Sequence, residues 1–188
     1  DFAEKHGVSE EAFPYYVPSA RVHTFHRFMP ASSFYEDHPE YYALRNGKRI
    51  PTQLCLTNEA VFEIVRDSVA ARLAAYPEAE VISVSQDDNT QYCQCAKCEA
   101  FHEKEESPSG SMIHFVNRIA REFPDKQIST LAYQYTRKAP KHLVPEPNVL
   151  ITLCSIECDR SASIAEKCPE FAADLASWGA KTDNVRIW

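Results

Sequence analysis

The sequence predicts an α/β fold in which parallel strands alternate with amphipathic helices. Two observations carry this. Short β-branched runs at residues 81–85, 128–135 and 149–154 are separated by stretches whose apolar residues recur at helical spacing. These strand runs are also nearly continuous in apolar residues, as burial on both faces requires. Strand starts near residues 21, 53, 81, 128, 149 and 185 make five or six βα-type units, so an open doubly wound sheet and a partial (βα)8 barrel both fit. A whole barrel needs about 250 residues. The chain has 188, begins at Asp1 and stops at Trp188 as a strand is starting, so the barrel reading predicts a fragment, organised as one domain over residues 1–188.

Taken in order, residues 21–28 and 53–56 read as strands. Between them, Asn46-Gly47 separates Tyr41-Tyr42-Ala43-Leu44 from Lys48-Arg49-Ile50, the pattern of a hairpin turn. Asn58 opens a helix over residues 58–76, where Val61, Phe62, Val65, Val69 and Leu73 form one stripe that Pro77 closes. After the strand at 81–85 comes a polar loop. Met112, Phe115, Val116, Ile119, Ala120 and Phe123 then mark a second helix. A third helical face runs from Ile164 through Phe171 and Leu175 to Trp178, ending near Gly179, and residues 185–188 start another strand.

Composition excludes several functions. Against 27 acidic side chains there are 20 basic ones, giving a net charge of -7, and no basic cluster exceeds a dipeptide, so nucleic acid is not an expected partner. Four scattered glycines cannot build a dinucleotide fingerprint, a P-loop or a nucleophile elbow. No apolar run reaches the roughly 18 residues of a membrane span.

In parallel α/β architectures ligands bind beyond the carboxyl ends of the strands. There the sequence places His26 and Arg27, then Asn58, then Asp87, Asp88 and Asn89, then Gln134 and Tyr135, then Glu157 and Asp159. Carboxylates and aromatic rings along one rim suit carbohydrate chemistry, in which two acids flank a glycosidic bond and flat rings face the sugar. Asp88 is the leading acid, because Asp87 equally suits a turn-capping role. His23 and His26, in their strand-like segment, could grip a sugar or a metal or serve as ordinary hydrogen-bonded histidines. His38, His102 and His142 read as solvated loop residues, and Glu99, Glu103, Glu105 and Glu106 as a solvated acidic loop.

Cys93-Gln94-Cys95-Ala96-Lys97-Cys98 brings three thiols within six residues. This spacing lets thiolates converge on one ion, and a structural zinc then needs a fourth donor from Cys154, Cys158, His102 or Cys55. Cys158, beyond a strand end, is the preferred ligand, while Cys55 and Cys168 read as core residues. A disulfide from Cys95 or Cys98 to Cys158 is the competing reading. Either one pins the loop, and both outweigh redox catalysis, which normally sets C-x-x-C at a helix start in a thioredoxin-like unit.

Several ordered segments together carry a family resemblance: His38-Pro39-Glu40-Tyr41-Tyr42, Gln53-Leu54-Cys55-Leu56-Thr57-Asn58, Val84-Ser85-Gln86-Asp87-Asp88, the cysteine run, Leu131-Ala132-Tyr133-Gln134-Tyr135-Thr136 and Ile156-Glu157-Cys158. From about residue 21 onward the chain resembles the domain of unknown function 4838, a glycoside-hydrolase-like family of exported bacterial proteins. The resemblance implies a (βα)8 barrel related to α-glucuronidases and hexosaminidase-like enzymes and an exported location, without a settled substrate; the expectation is a glycosidase acting on a uronic-acid or amino-sugar linkage, with Glu157 as the second catalytic carboxylate or orienter. The resemblance also implies Asp88 as the catalytic or sugar-binding carboxylate, with Tyr133, Gln134 and Glu157 on the same rim and no cofactor needed for catalysis. One departure stands out: Gln86-Asp87-Asp88-Asn89 replaces a Pro-Asn-Asp-Gly type of turn. The alternatives are a non-catalytic carbohydrate-binding domain and a zinc- or disulfide-stabilised structural domain.

Overall fold

Residues 15–159 and 161–188 are described by the computed structural model. Strands β1 (Tyr42–Arg45) and β2 (Lys48–Leu54) form an antiparallel hairpin. Asn46 (φ 49°) and Gly47 (φ 75°) both occupy the left-handed region that a two-residue hairpin turn demands, which explains why the dipeptide foretells it. Helix α1 (Glu59–Ala75) follows, with Asn58 Oδ1 accepting from the Ala60 N–H at 3.0 Å, and it buries the stripe from Val61 to Leu73.

Strand β3 (Val81–Ser83) leads through a long connection to α2 (Ala96–Glu105) and α3 (Ser109–Glu122). Then come β4 (Gln127–Ala132), β5 (Val149–Leu153), α4 (Pro169–Gly179) and β6 (Val185–Ile187). The four strands β3-β4-β5-β6 lie in sequence order and pair in parallel, and Tyr16 adds a parallel bridge to Val81 at the β3 edge. The fold is therefore mixed α/β with a four-stranded parallel sheet and helical connections; no barrel is closed among the described residues.

Five expectations are corrected. Residues 21–28 are not a strand: His23 has φ 51°, and Phe25–Phe28 form a single helical turn whose Thr24 and Phe25 N–H groups both donate to the Ser85 carbonyl. Residues 53–56 are not a sheet strand either, since Gln53 and Leu54 finish the hairpin. The acidic run is not a solvated loop. It falls on α2 and at its end, where Glu105 is buried and its Oε2 accepts from the His142 N–H (2.6 Å) and the Leu143 N–H (2.9 Å). His102, on the same helix, is also largely buried rather than solvated; its Nε2 lies 3.1 Å from Ser111 Oγ, and burial lowers its pKa. The expected third helix breaks in two, because Pro169 drives Cys168 out of helical geometry (φ -133°, ψ 58°) and separates the single turn Ile164–Lys167 from α4.

One continuous core joins sheet and helices, with Phe115 of α3 at an aromatic junction. Close packing between α2 and α3 sets a test. A Cβ on Gly110 would meet Glu105 Cβ at 2.6 Å and Cγ at 2.7 Å, and Glu105 is held by its two backbone donors. Gly110→Ala is expected to destabilise by about 1–3 kcal/mol, read as a fall in the urea midpoint; an unchanged midpoint would show that Glu105 can move aside.

Candidate functional site

Two clusters form around the connection from β3 to α2. The first lies on the rim beyond the strand ends. Gln86, fully buried, donates from Nε2 to the Tyr133 carbonyl (3.1 Å) and to Thr136 Oγ1 (2.6 Å), tying the end of β3 to the end of β4. Past it, Asp88 is exposed, and its Oδ1 accepts from Tyr133 OH (3.1 Å) and Gln134 Nε2 (3.4 Å). Gln134 Nε2 also donates to Tyr133 OH at 3.0 Å. Gln134 reaches this position from left-handed backbone (φ 51°), an uncommon conformation for a side-chain-bearing residue. Desolvation, and then the hydrogen bond to Asp88, raise the pKa of the Tyr133 phenol, which keeps it a donor.

Asp87 turns the other way. Its Oδ1 lies 2.5 Å from His26 Nδ1 and accepts from the His26 N–H at 3.3 Å, so the helical turn at Phe25–Phe28 delivers His26 to the rim that a strand was expected to reach. His23 Nδ1 sits 2.8 Å from the Gln86 carbonyl. Arg27 extends an exposed side chain while its carbonyl accepts from Arg72 Nη2 (2.9 Å). Asn89 is committed to the hairpin: Oδ1 accepts from Gln53 Nε2 (3.1 Å) and Nδ2 donates to the Thr52 carbonyl (3.2 Å). Tyr135 packs on Tyr92 with ring centroids 4.8 Å apart, and burial raises its phenol pKa well above the usual value. His26, Met29, Thr52, Gln53 and Asp87 line a cleft of about 30 Å³, room for about one water, so anything larger lies across the rim.

Glu157 stands apart from this group. Its Oε2 is 2.6 Å from Arg137 Nη1, and the same guanidinium meets Asp174 (2.7 Å) and Glu170 (3.4 Å). Among the described residues no hydrogen bond joins Glu157 to Asp88.

The second cluster is made of sulfur. The Sγ atoms of Cys55, Cys93, Cys95 and Cys98 all lie within 4.8 Å of one another, with Cys55 3.7 Å from Cys95 and 4.0 Å from Cys98. Four thiolates arranged tetrahedrally at Zn–S distances of about 2.3 Å stand about 3.8 Å apart, so the quartet has the dimensions of a single-ion site. The spacings also exceed an S–S bond of about 2.05 Å, and the four are thiols. The fourth sulfur is therefore Cys55, not Cys158. Cys55 directly follows the end of the hairpin, which folds over the cysteine run, and it forms a small core with Ala43, Cys93 and Cys98, whereas Cys158 packs against the main core.

Neighbouring groups already treat these sulfurs as acceptors. The Leu44 N–H donates to Cys93 Sγ (3.4 Å), Arg49 Nη1 approaches the same atom at 3.8 Å, and Thr57 Oγ1 lies 3.2 Å from Cys98 Sγ. Pairing with Cys93 and Cys98 drives the Cys55 thiol pKa far down, while hydrogen bonding to Cys55 pushes Cys93 up to about 11 and raises Cys98 as well. Four adjacent sulfurs thus resist ionising together, and a divalent cation held among them would supply the charge that lets them do so.

Gln53 and Gln86 are residues that sequence reasoning did not assign to the site, and Cys55 is one it weighed as a fourth donor but read as core. Their one shared signal is position, since each lies within three residues of a strand end. No helix among the described residues is long and apolar enough to cross a membrane. The chain matches no curated protein sequence. The model of a family described as a domain of unknown function, DUF4838, matches residues 3–188, and the chain belongs to that family.

Proposed function

We propose that this chain is a carbohydrate-acting domain of glycoside-hydrolase type, in which Asp88 serves as the acid at a rim stiffened by a structural zinc. The observation that carries the reading is the convergence of Asp88, from beyond β3, with Tyr133 and Gln134, from beyond β4. A carboxylate flanked by a phenol and an amide, with an imidazole–carboxylate pair alongside at His26 and Asp87, offers the donors and acceptors that sugar hydroxyls require. The sequential parallel order of β3 to β6 supports the finer reading that the sheet is a segment of a (βα)8 barrel, where neighbouring strands follow one another around the ring.

The quartet of thiols supports zinc because four soft donors lie within 4.8 Å of one another, enough to fill all four positions of a structural site and leave none open. In the exported setting that the resemblance implies, a bound ion would also protect these thiols from oxidation.

The test sets the chain and its Asp88→Asn variant against chromogenic uronides and N-acetylhexosaminides, with binding measured in parallel. Turnover that falls by about 10²–10⁴-fold in the variant is the expected result. A second reading, a binding domain without catalysis, is favoured by the engagement of Glu157 with Arg137, which leaves Asp88 without a second acid from that position. Oligosaccharide binding without cleavage, retained in Asp88→Asn, would select that reading. Neither turnover nor binding would remove carbohydrate from the account.

A further inference from the structure

The sulfur quartet and the rim are two ends of one connection. Rim residues Gln86, Asp87 and Asp88 and ligand candidates Cys93, Cys95 and Cys98 all lie between β3 and the first turn of α2. Alongside runs the hairpin, which contributes Gln53, and Cys55 follows directly after its last residue. Gln53 is almost fully buried and grips the Asp87 backbone in both directions: Nε2 donates to the Asp87 carbonyl (2.7 Å) and Oε1 accepts from the Asp87 N–H (3.1 Å). The same Nε2 reaches the Asn89 carbonyl at 3.1 Å. Further along, Arg45 Nη1 donates to the Tyr92 carbonyl (3.4 Å), the Gln94 N–H donates to the Leu44 carbonyl (2.9 Å), and Cys55 closes on Cys95 and Cys98.

The hairpin therefore laces this connection from the rim to the sulfurs. Apart from the sulfur end, the lacing is made of hydrogen bonds, each modest by itself. A two-stranded hairpin is marginal on its own and depends on what fastens it. We propose that the metal centre is a positioning device for the rim, and that Gln53 is the positioning residue through which occupancy of the four sulfurs orders Asp87 and Asp88. This rests on the zinc reading above. Metal binding draws Cys55 against the cysteine run, the end of β2 follows, and Gln53 then holds Asp87 where it meets His26 and leaves Asp88 aimed at Tyr133 and Gln134.

Amide hydrogen exchange of the full chain tests this, followed over residues 84–92 and, for comparison, over β4 and β5. Three samples are needed: zinc-loaded protein, protein treated with a chelator, and zinc-loaded Gln53→Met, which preserves side-chain volume but cannot make these hydrogen bonds. Chelation and Gln53→Met are each expected to speed exchange over residues 84–92 by roughly tenfold while β4 and β5 stay protected. Gln53→Met should retain its zinc. Unaltered exchange at 84–92 in zinc-bearing Gln53→Met would overturn the proposal, as would chelation that strips the metal and leaves the rim protected. If chelation instead exposes the whole sheet, the Gln53→Met result alone decides. Failure of the zinc reading is recognised separately, by the absence of zinc from the wild-type chain, and removes this proposal with it.

Discussion

Cys98→Ser is expected to abolish stoichiometric zinc binding and to lower the melting temperature by roughly 10 °C. Cys98 is buried at the start of α2 and faces Cys55 and Thr57. A hydroxyl there is a hard, protonated donor in place of a soft thiolate. Structural zinc binding amounts to about 10–16 kcal/mol in small zinc-finger peptides, where it is the whole of folding. Here the sheet and its helices have a separate core, so a metal at the sulfur quartet would stabilise the hairpin and the cysteine run rather than the entire chain. A loss of about 3–5 kcal/mol, at about 2–4 °C per kcal/mol for a chain of this size, gives the predicted fall. Calorimetry with and without added zinc checks it: the wild type should shift with metal and the variant should not. A variant that melts within 2 °C of the wild type and keeps its zinc would exclude Cys98 as a ligand.

Phe115→Ala is expected to cost about 3–5 kcal/mol, the range for deleting a fully buried aromatic ring. The Phe115 ring is inaccessible to solvent and meets Phe25 edge-on (centroids 6.2 Å apart) and Phe62 likewise (5.9 Å). These partners come from three segments: α3, α1 and the helical turn that carries His26. Removing the ring leaves a cavity where all three meet. Urea unfolding should show a lower midpoint with an unchanged slope. A cost below 1 kcal/mol would mean that the aromatic junction repacks without it.

How much was legible in the sequence follows the range of each interaction. Helix α1 is specified locally, by Asn58 at its cap, five stripe residues and Pro77, and it forms almost where those residues put it. The hairpin turn is just as local, because Asn46 and Gly47 meet a backbone requirement. The strands β3, β4 and β5 are recognisable from β-branched runs, although β4 ends at Ala132, earlier than its apolar pattern suggests, since Gln134 turns the chain toward Asp88. Helix α2 is silent in the pattern: only Cys98 and Glu105 are buried along it, so no apolar stripe marks it. At the turn holding His26, tertiary hydrogen bonds to Ser85 override a strand-like composition.

The site divides along the same line. Three sulfurs are visible as a run because they are neighbours in sequence, and Asp88, Tyr133 and Gln134 are visible because they follow strands. The fourth sulfur comes through space. Once residues 53–56 are read as a parallel-sheet strand, nothing local reveals that they end a hairpin folded over the cysteine run, and Cys158 then looks the better partner.

Four sulfurs holding one ion beside the rim are the centre of the proposal. Its most direct test is the zinc content of the full chain purified under reducing conditions without chelator, combined with a thiol titration before and after metal removal. The account predicts one zinc per chain and four thiols that become reactive only when the metal is taken away. No zinc, with those four thiols reacting freely from the start, would contradict it.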